Sequence, residues 1–443
     1  MAEAHRTRDH SLWFNVGNFR ENPGEGILAS LAALADGQAV SLLLNGVCTQ
    51  WARFANGGKA LRATDPIARQ TWDATPVGSW ATVMIAPPVG NPPPASGPIV
   101  AAPPAQPPVG APATTPVPMR GTPGLGPHAR LFDAYIFIDW SATNGRATGP
   151  GQDQLWLGEL QAGNQPSDAW FASRQDCARH VEERLLHHVA AGHRVLIGFD
   201  FAYGYPAGFA DGAGLPSPAG KWRAVWTALA ALLHDDDQNR SNRFEVASAL
   251  NAMLTPTGAA VAPGPFWNTP RPGPMLTANS PVFPFAARGG ALLPALRLSE
   301  QHLQQVGLRP HSVFKLFTPG SVGSQVLTGV PVVHRIRHHP LLRDVSLVWP
   351  FETGFDDKVM VVRRPFVLHA EIWPGVVQQR ADALIAADPQ LIKDQAQVRA
   401  MCHWAEEEDA AGTLGQQFAT PAGMPLENQE RCVNEEGWIL GSP

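Results

Sequence analysis

No apolar run in this chain approaches the roughly 18 residues that a membrane span needs. The N-terminus, MAEAHRTRDH, also lacks the hydrophobic stretch of a secretory signal. The expectation is a soluble, cytoplasmic protein with no membrane partner. Cysteine is scarce as well: Cys48, Cys177, Cys402 and Cys432 lie far apart with no C-x-x-C spacing, which argues against a zinc ribbon and against a disulfide framework. There is no excess of basic charge, because the formal net charge is -5. The molecule as a whole is no trap for a polyanion, so contact with a nucleic acid or nucleotide has to come from a local patch. A Walker A loop is absent too, since no G-x-x-x-x-G-K-[ST] spacing occurs.

What the chain has in quantity is proline. Between residues 86 and 130 there are fifteen prolines among Ala, Gly, Val and Thr, with almost no charge or aromatic residue. Such a segment cannot bury a core and reads as an extended, semi-rigid linker, which also offers a polyproline surface to a protein partner. It divides the 443 residues into an N-terminal part, residues 10–85, and a larger part, residues 131–443. The N-terminal part carries a helical pattern, EGILASLAALADG, and the strand-like QAVSLLLNGV and SWATVMIAPP, so a small α/β module of unknown role is expected there.

The larger part opens on LFDAYIFIDWSATN, an apolar run that ends on Asp139. QLWLGEL (Gln154–Leu160) reads as its hairpin partner, followed by a helix over Arg174–Ala191 stopped by Gly192 and a strand over Arg194–Phe199 that leads into Asp200. Farther on come a helix from Lys221, a Pro/Gly-rich loop from Met253 to Pro284, strands at SLVWPFE and RPFVLHAEIWP, and a helix over Lys393–Ala411. This βββαβ-like order, with acids at strand C-termini, predicts an α/β fold built on a ribonuclease H-like mixed sheet flanked by helices. Other doubly wound sheets also place ligands beyond the carboxyl ends of strands.

Four acids stand beside elements that such a fold gathers: Asp139, Asp200, Glu371 at the end of FVLHAE, and Asp394 in the first turn of the last helix. Hard oxygen ligands at a sheet edge suit Mg²⁺ or Mn²⁺. Clustered carboxylates repel, so such a set is expected with a cation bound or with a proton shared. Each acid alone reads equally as an ordinary strand-end or helix-cap residue.

Other residues are candidates for substrate contact. Ser141 follows the first acid. TPGSVGSQ (Thr318–Gln325), with Ser321 and Ser324, is either a phosphate-cradling loop leading into a helix near Ser324 or a tight turn packed under the sheet. HRIRHHPLLR gathers three Arg and three His; read as a strand, its alternation puts Arg335 and Arg337 on one face, where they meet phosphates or form a solvated edge. Lys315 is a further cation, and Glu352 is either a fifth acid of the site or a partner for the Arg cluster. Trp140, Phe201, Tyr203, Tyr205, Phe266 and Trp267 fall in turns, where they stack a heterocycle or simply pack.

The blocks IFIDWSA, GFDFAYGYPAG, GPFWNTPRPG, KLFTPGSVGSQVLTGVPVVHRIR, VWPFETGF, HAEIWP, KDQAQVRAM and EEGWILG together resemble a bacterial family of uncharacterised proteins. That family is similar to the predicted ribonuclease H-like nucleases, and its members often carry molybdopterin-guanine dinucleotide or cobalamin biosynthesis labels. The resemblance spans about residues 131–441 and implies Asp139, Asp200, Glu371 and Asp394 as the acids of the site. Trp373 stands where a Tyr often precedes the Pro of that pattern. The family's activity is itself unsettled; the acids and the implied fold lead to the expectation of divalent-metal-dependent phosphodiester hydrolysis, with the negative charge and the lack of an extended basic face against it. An actin-like or sugar-kinase-like ATPase or phosphotransferase, sharing the core sheet, and a non-catalytic small-ligand or partner-binding module are the alternatives.

Overall fold

The computed structural model describes residues 130–443 apart from 259–261, 319 and 357–363, and, in the preceding chain, strands at 4–6, 11–14, 39–44, 47–53, 60–63 and 83–85. The chain divides into two units, Met1–Pro118 and Met119–Pro443. In the first, β1 (Ala4–Arg6), β2 (Ser11–Phe14), β3 (Ala39–Leu44), β4 (Val47–Arg53), β5 (Ala60–Ala63) and β6 (Val83–Ile85) form one sheet in the order β1-β2-β5-β4-β3-β6. Every pairing in it is antiparallel. The strands expected at QAVSLLLNGV and SWATVMIAPP are β3 and β6. The helix expected over EGILASLAALADG lies outside the described residues, as does the Pro-rich segment 86–129.

The second unit is α/β, a mixed six-stranded sheet flanked by helices. Its strands are β7 (Ala134–Asp139), β8 (Leu155–Gln161), β9 (Ser167–Phe171), β10 (Arg194–Phe199), β13 (Ser346–Val348) and β14 (Phe366–Glu371), in the order β13-β14-β10-β7-β8-β9. β7, β8 and β9 form an antiparallel meander, whereas β10 runs parallel to β7 and β14 parallel to β10 and β13. A two-stranded ribbon, β11 (Phe285–Ala286) with β12 (Leu292–Leu293), lies apart from it. The helices are α1 (Arg174–Ala190), α2 (Phe209–Gly212), α3 (Lys221–Leu232), α4 (Arg243–Leu254), α5 (Leu298–Gln305), α6 (Val322–Arg337), α7 (Gln378–Ala387), α8 (Lys393–Ala411) and α9 (Leu426–Arg431). Among the described residues no helix is long and apolar enough to cross a membrane.

Alternation along the strands divides the core. Ala134, Ile136, Ile138, Val195, Ile197, Phe199 and Val367 face one layer, with α1, α3 and α6 packed there. Tyr135, Phe137, Leu196, Leu368 and Ala370 face the other, against α8. α1 starts where Ser173 accepts from the Asp176 amide at 3.2 Å and places Cys177, Val181 and Leu185 four residues apart on its buried face. It stops at Gly192, whose φ of 75° suits a glycine after a helix end. Cys177, Cys402 and Cys432 are buried and unpaired.

α8 lies against β7 and β8 because Gly158, in the middle of β8, has no side chain. A Cβ there would come within 2.8 Å of the Val398 carbonyl oxygen and 3.1 Å of Cys402 Sγ. The obstacle is backbone, which yields poorly. Gly158→Ala is therefore expected to destabilise by about 1–3 kcal/mol and to shift the start of α8; a denaturant melt that matched wild type would contradict this packing.

One buried side chain carries a penalty. His369 on β14 is fully buried, and neither ring nitrogen makes a hydrogen bond among the described residues. Burial, helped by the Arg337 charge, pushes its imidazole down to about 3. A base with a depressed folded-state pKa favours folding fully only above its unfolded value of about 6.5, and that contribution is lost as pH falls from there toward 3. The loss amounts to at most about 1.4 kcal/mol per pH unit. His369→Leu should flatten this limb of the stability profile and be neutral or stabilising at pH 7, since it removes two unsatisfied polar atoms; a variant with the same acid limb as wild type would contradict the assignment.

Two sequence expectations are corrected. HRIR lies not in a strand but in the last turn of α6, so Arg335 and Arg337 are about 200° apart around a helix and point differently. The run's apolar residues Val326, Val330, Val333 and Ile336 follow helical spacing and are buried in the first core layer. The strand expected over SLVWPFE is confined to Ser346–Val348 before the chain turns. The helix that begins at Arg243 was not read from the sequence at all.

Candidate active site

β7 and β10 run side by side with Ile138 opposite Phe199, and the Asp200 amide extends the ladder by donating to the Ile138 carbonyl at 3.1 Å. Asp139 and Asp200 are therefore neighbours in the next row, and both point to the α8 side of the sheet. Asp394, in the first turn of α8, is brought to the same place. All three line one cavity of about 500 Å³, together with Asp153, Arg243 and Lys393.

The backbone fixes these carboxylates. The Trp140 amide donates to Asp200 Oδ1 at 2.6 Å. The backbone of Asp153 and Gln154 faces Asp394 and favours its charged form, and Asp153 is held in the left-handed region at φ 57°, a conformation that Asp tolerates better than most residues. The Asp153 carbonyl in turn accepts from Ser141 Oγ at 2.6 Å and Thr143 Oγ1 at 3.1 Å. Ser141 thus lines the cavity while its hydroxyl braces the loop that orients Asp394.

Electrostatically the cluster is frustrated. Burial pushes Asp139 well above the usual carboxylate range, the Asp394 charge adds to this, and Lys393 opposes it. Asp200 is raised by burial and then by Asp139, against the hydrogen bond from Trp140. Asp394 is raised chiefly by burial, and its Oδ2 is buried without a hydrogen-bond partner. Like charges held together in this way take up a proton or a cation.

The residues suit a hard cation only of one kind. Among the described residues no group of three or more His, Cys, Asp or Glu side chains is gathered closely enough to encase a metal ion. Mg²⁺ does not require such a cage, since it commonly uses one or two carboxylates and completes its shell with water and substrate phosphate. The unpartnered Asp394 Oδ2, next to Asp139, is the kind of donor that such an ion takes.

Glu371 does not belong to this cavity. Phe199 pairs with both Ile138 and Glu371, so Glu371 shares the row of Ile138 and Phe199, one residue out of step with Asp139 and Asp200. With a period of two, one residue is enough to turn it to the opposite face. There it meets Arg297, which donates to Glu371 Oε2 at 2.8 Å through Nη1 and to Oε1 at 2.5 Å through Nη2. It also accepts from the Tyr203 amide at 2.9 Å. Arg297 further engages Glu300 and the Glu436 carbonyl. The whole assembly is a buried ion-pair network; of the four expected acids, three line the larger cavity, and Glu371 lines a small neighbouring one with Asp200.

The other expected substrate contacts divide in the same way. Ser321 and Ser324 line the cavity. The loop does not offer a free ring of amides, however: Gly323 N donates to the Lys315 carbonyl at 2.9 Å, and Ser324 N and Gln325 N donate to the Ser321 carbonyl. Its glycines answer to packing, since a Cβ at Gly323 would lie 2.6 Å from the Val313 carbonyl oxygen. Lys315 does not line the cavity; its carbonyl is a partner of that turn. Arg335 pairs with Glu182 at 2.7 Å. Arg337 pairs with Glu352 at 2.8 Å, and Arg223 takes the same carboxylate, so Glu352 is an Arg partner and not a fifth acid.

Tyr203 is buried with its ring against Trp226 and Phe201, away from the cavity. Tyr205 and Phe266 pack in the same core, and Phe201 lies against Trp140. The indole of Trp140 is tied to Thr328 at 3.1 Å. Packing, not stacking on a ligand, is the use of these rings. Comparison of the chain with protein-family models, curated proteins and solved structures found no match in any of the three.

Proposed function

We propose that this cavity is the active site of a divalent-cation-dependent phosphodiester hydrolase with a ribonuclease H-like core, related to the family that the sequence blocks resemble. The observation that carries the reading is the convergence of Asp139, Asp200 and Asp394 on one cavity from the ends of β7 and β10 and the start of α8. The sheet supports it further. An antiparallel three-strand meander continued by two parallel strands through β10 and β14 is the order expected of such a core.

In this reading Asp139 and Asp394 would hold a Mg²⁺ or Mn²⁺ ion, with the Asp200 carboxylate beside them in the same cavity. The ion when bound would supply a water of lowered pKa and offset charge on the phosphate. The protein's own part is orientation and charge: the Trp140 amide aims Asp200, and the backbone of Asp153 and Gln154 favours the charged form of Asp394. Lys393 moderates the repulsion that would otherwise drive Asp139 to hold a proton.

The test is hydrolysis of a generic phosphodiester with Mn²⁺, with Mg²⁺ and with chelator. Turnover that needs the ion and is lost in Asp394→Asn is expected; wild type inert under all three conditions contradicts the reading.

A further inference from the structure

The cavity contains a cation that differs from the other buried arginines. Arg174 is paired with Asp235 at 2.6 Å, Arg194 with Asp133 at 3.4 Å and Arg297 with Glu300 and Glu371. Arg243 is only 4% exposed yet forms no ion pair among the described residues. Its Nε donates to Ser324 Oγ at 3.1 Å, and its Nη1 to Asn144 Oδ1 at 2.6 Å and Ser241 Oγ at 3.1 Å, all neutral oxygens. No protein oxygen among the described residues takes a hydrogen bond from Nη2. Buried charges are normally paired, and this guanidinium lines the cavity of the three aspartates.

Arg243 is not a partner held back for those aspartates. The acids that act most on it are Asp235 and Glu245, and Asp235 is already engaged with both Nε and Nη2 of Arg174. Burial, with help from the Arg174 charge, brings the Arg243 guanidinium down to about 10, so it remains charged at neutral pH and lacks a compensating anion.

A second feature stands at the rim. Phe317 lines the same cavity and is 43% exposed, in contrast to the buried rings around it. Asn268 Nδ2 donates to the Phe317 carbonyl at 2.5 Å and to Thr318 Oγ1 at 2.9 Å. Asn268 and Thr318 both adopt positive φ, 65° and 66°. For a β-branched residue such as Thr this is a true outlier, of a kind that gathers at ligand sites.

We propose that Arg243 is the phosphate anchor of the cavity and Phe317 its base-stacking rim, so that the substrate is a nucleotide-type phosphate ester. The inference rests on the phosphoester reading of the cavity given above. Guanidinium groups take phosphate oxygens in a fork, and an exposed aromatic ring stacks any base by its π-face. A long polyanion fits poorly, because Arg335 and Arg337, the chief basic cluster in the sequence, are already paired with Glu182 and Glu352.

The test uses the full chain and titrates adenosine 5′-monophosphate, ribose 5-phosphate and adenosine by calorimetry, with Mg²⁺ and again with chelator. Arg243→Met should weaken the nucleotide by about tenfold or more and leave adenosine unchanged. Arg243→Lys, which keeps the charge and guards against a folding defect, should lie between. Phe317→Ala should weaken the nucleotide by about fivefold or more without affecting ribose 5-phosphate. Wild type that binds no nucleotide in either buffer, or Arg243 variants that fold and bind it like wild type, would overturn the proposal. A melt insensitive to Mn²⁺ would sink the metal reading alone, leaving the Arg243 result to stand.

Discussion

Asp139→Asn should reduce metal-dependent phosphodiester hydrolysis by roughly 10³-fold or more while making the metal-free protein more stable than wild type. The first effect follows if the carboxylate holds the ion, because an amide brings no charge to it. The second follows from its neighbours. The folded state raises the Asp139 pKa through burial and the Asp394 charge, and an acid with a raised folded-state pKa penalises folding as pH rises from its unfolded value through the folded one. The amide carries no such penalty at pH 7, and each kcal/mol relieved is worth about 2–4 °C in Tm. Mn²⁺ should then stabilise wild type and not the variant. The two readings share one experiment, a thermal melt with and without ion; a variant both inactive and less stable would place Asp139 in a structural role.

Arg297→Met should be the most destabilising single change, at about 3–5 kcal/mol. Arg297 is fully buried and touches Glu300, Glu371 and the Glu436 carbonyl. Its loss leaves buried carboxylates with no countercharge. The damage should spread to the C-terminal segment, because Glu436 also accepts from the Leu298 and Ala207 amides, and the Leu440 amide donates to the Glu371 carbonyl at 2.9 Å. Glu371→Gln should cost less, since an amide still accepts from Arg297, and it should leave hydrolysis little changed. Chemical denaturation and activity assays on the pair separate the roles: loss of activity in a well-folded Glu371→Gln protein would return this acid to the site.

The sequence carried much of the sheet in plain view. Buried parallel strands read as continuous apolar runs, so AYIFID, RVLIGF and FVLHAE stood out, and α1 and α8 showed their periodicity and stops. What it could not carry was register. Asp139 and Glu371 each end an apolar run, and only the pairing of Phe199 with Ile138 and Glu371 reveals that they face opposite layers. The misread of HRIR has a similar cause, because two Arg at i and i+2 match a strand's alternation when the apolar residues three and four apart upstream are left out of the window. Arg243 gave no local signal: its importance lies in the absence of a partner, which depends on Asp235 being claimed by Arg174 sixty-one residues away in sequence. Asp153 and Lys393 were missed for the same reason, since each acts through a neighbour brought up by the fold.

The most direct test of the central claim is anomalous diffraction from crystals of the full chain soaked in Mn²⁺. The account predicts a peak in the cavity within coordination distance of Asp139 and Asp394, lost in Asp139→Asn. A cavity without Mn²⁺ in wild-type crystals, or an ion bound equally by the variant, would contradict it.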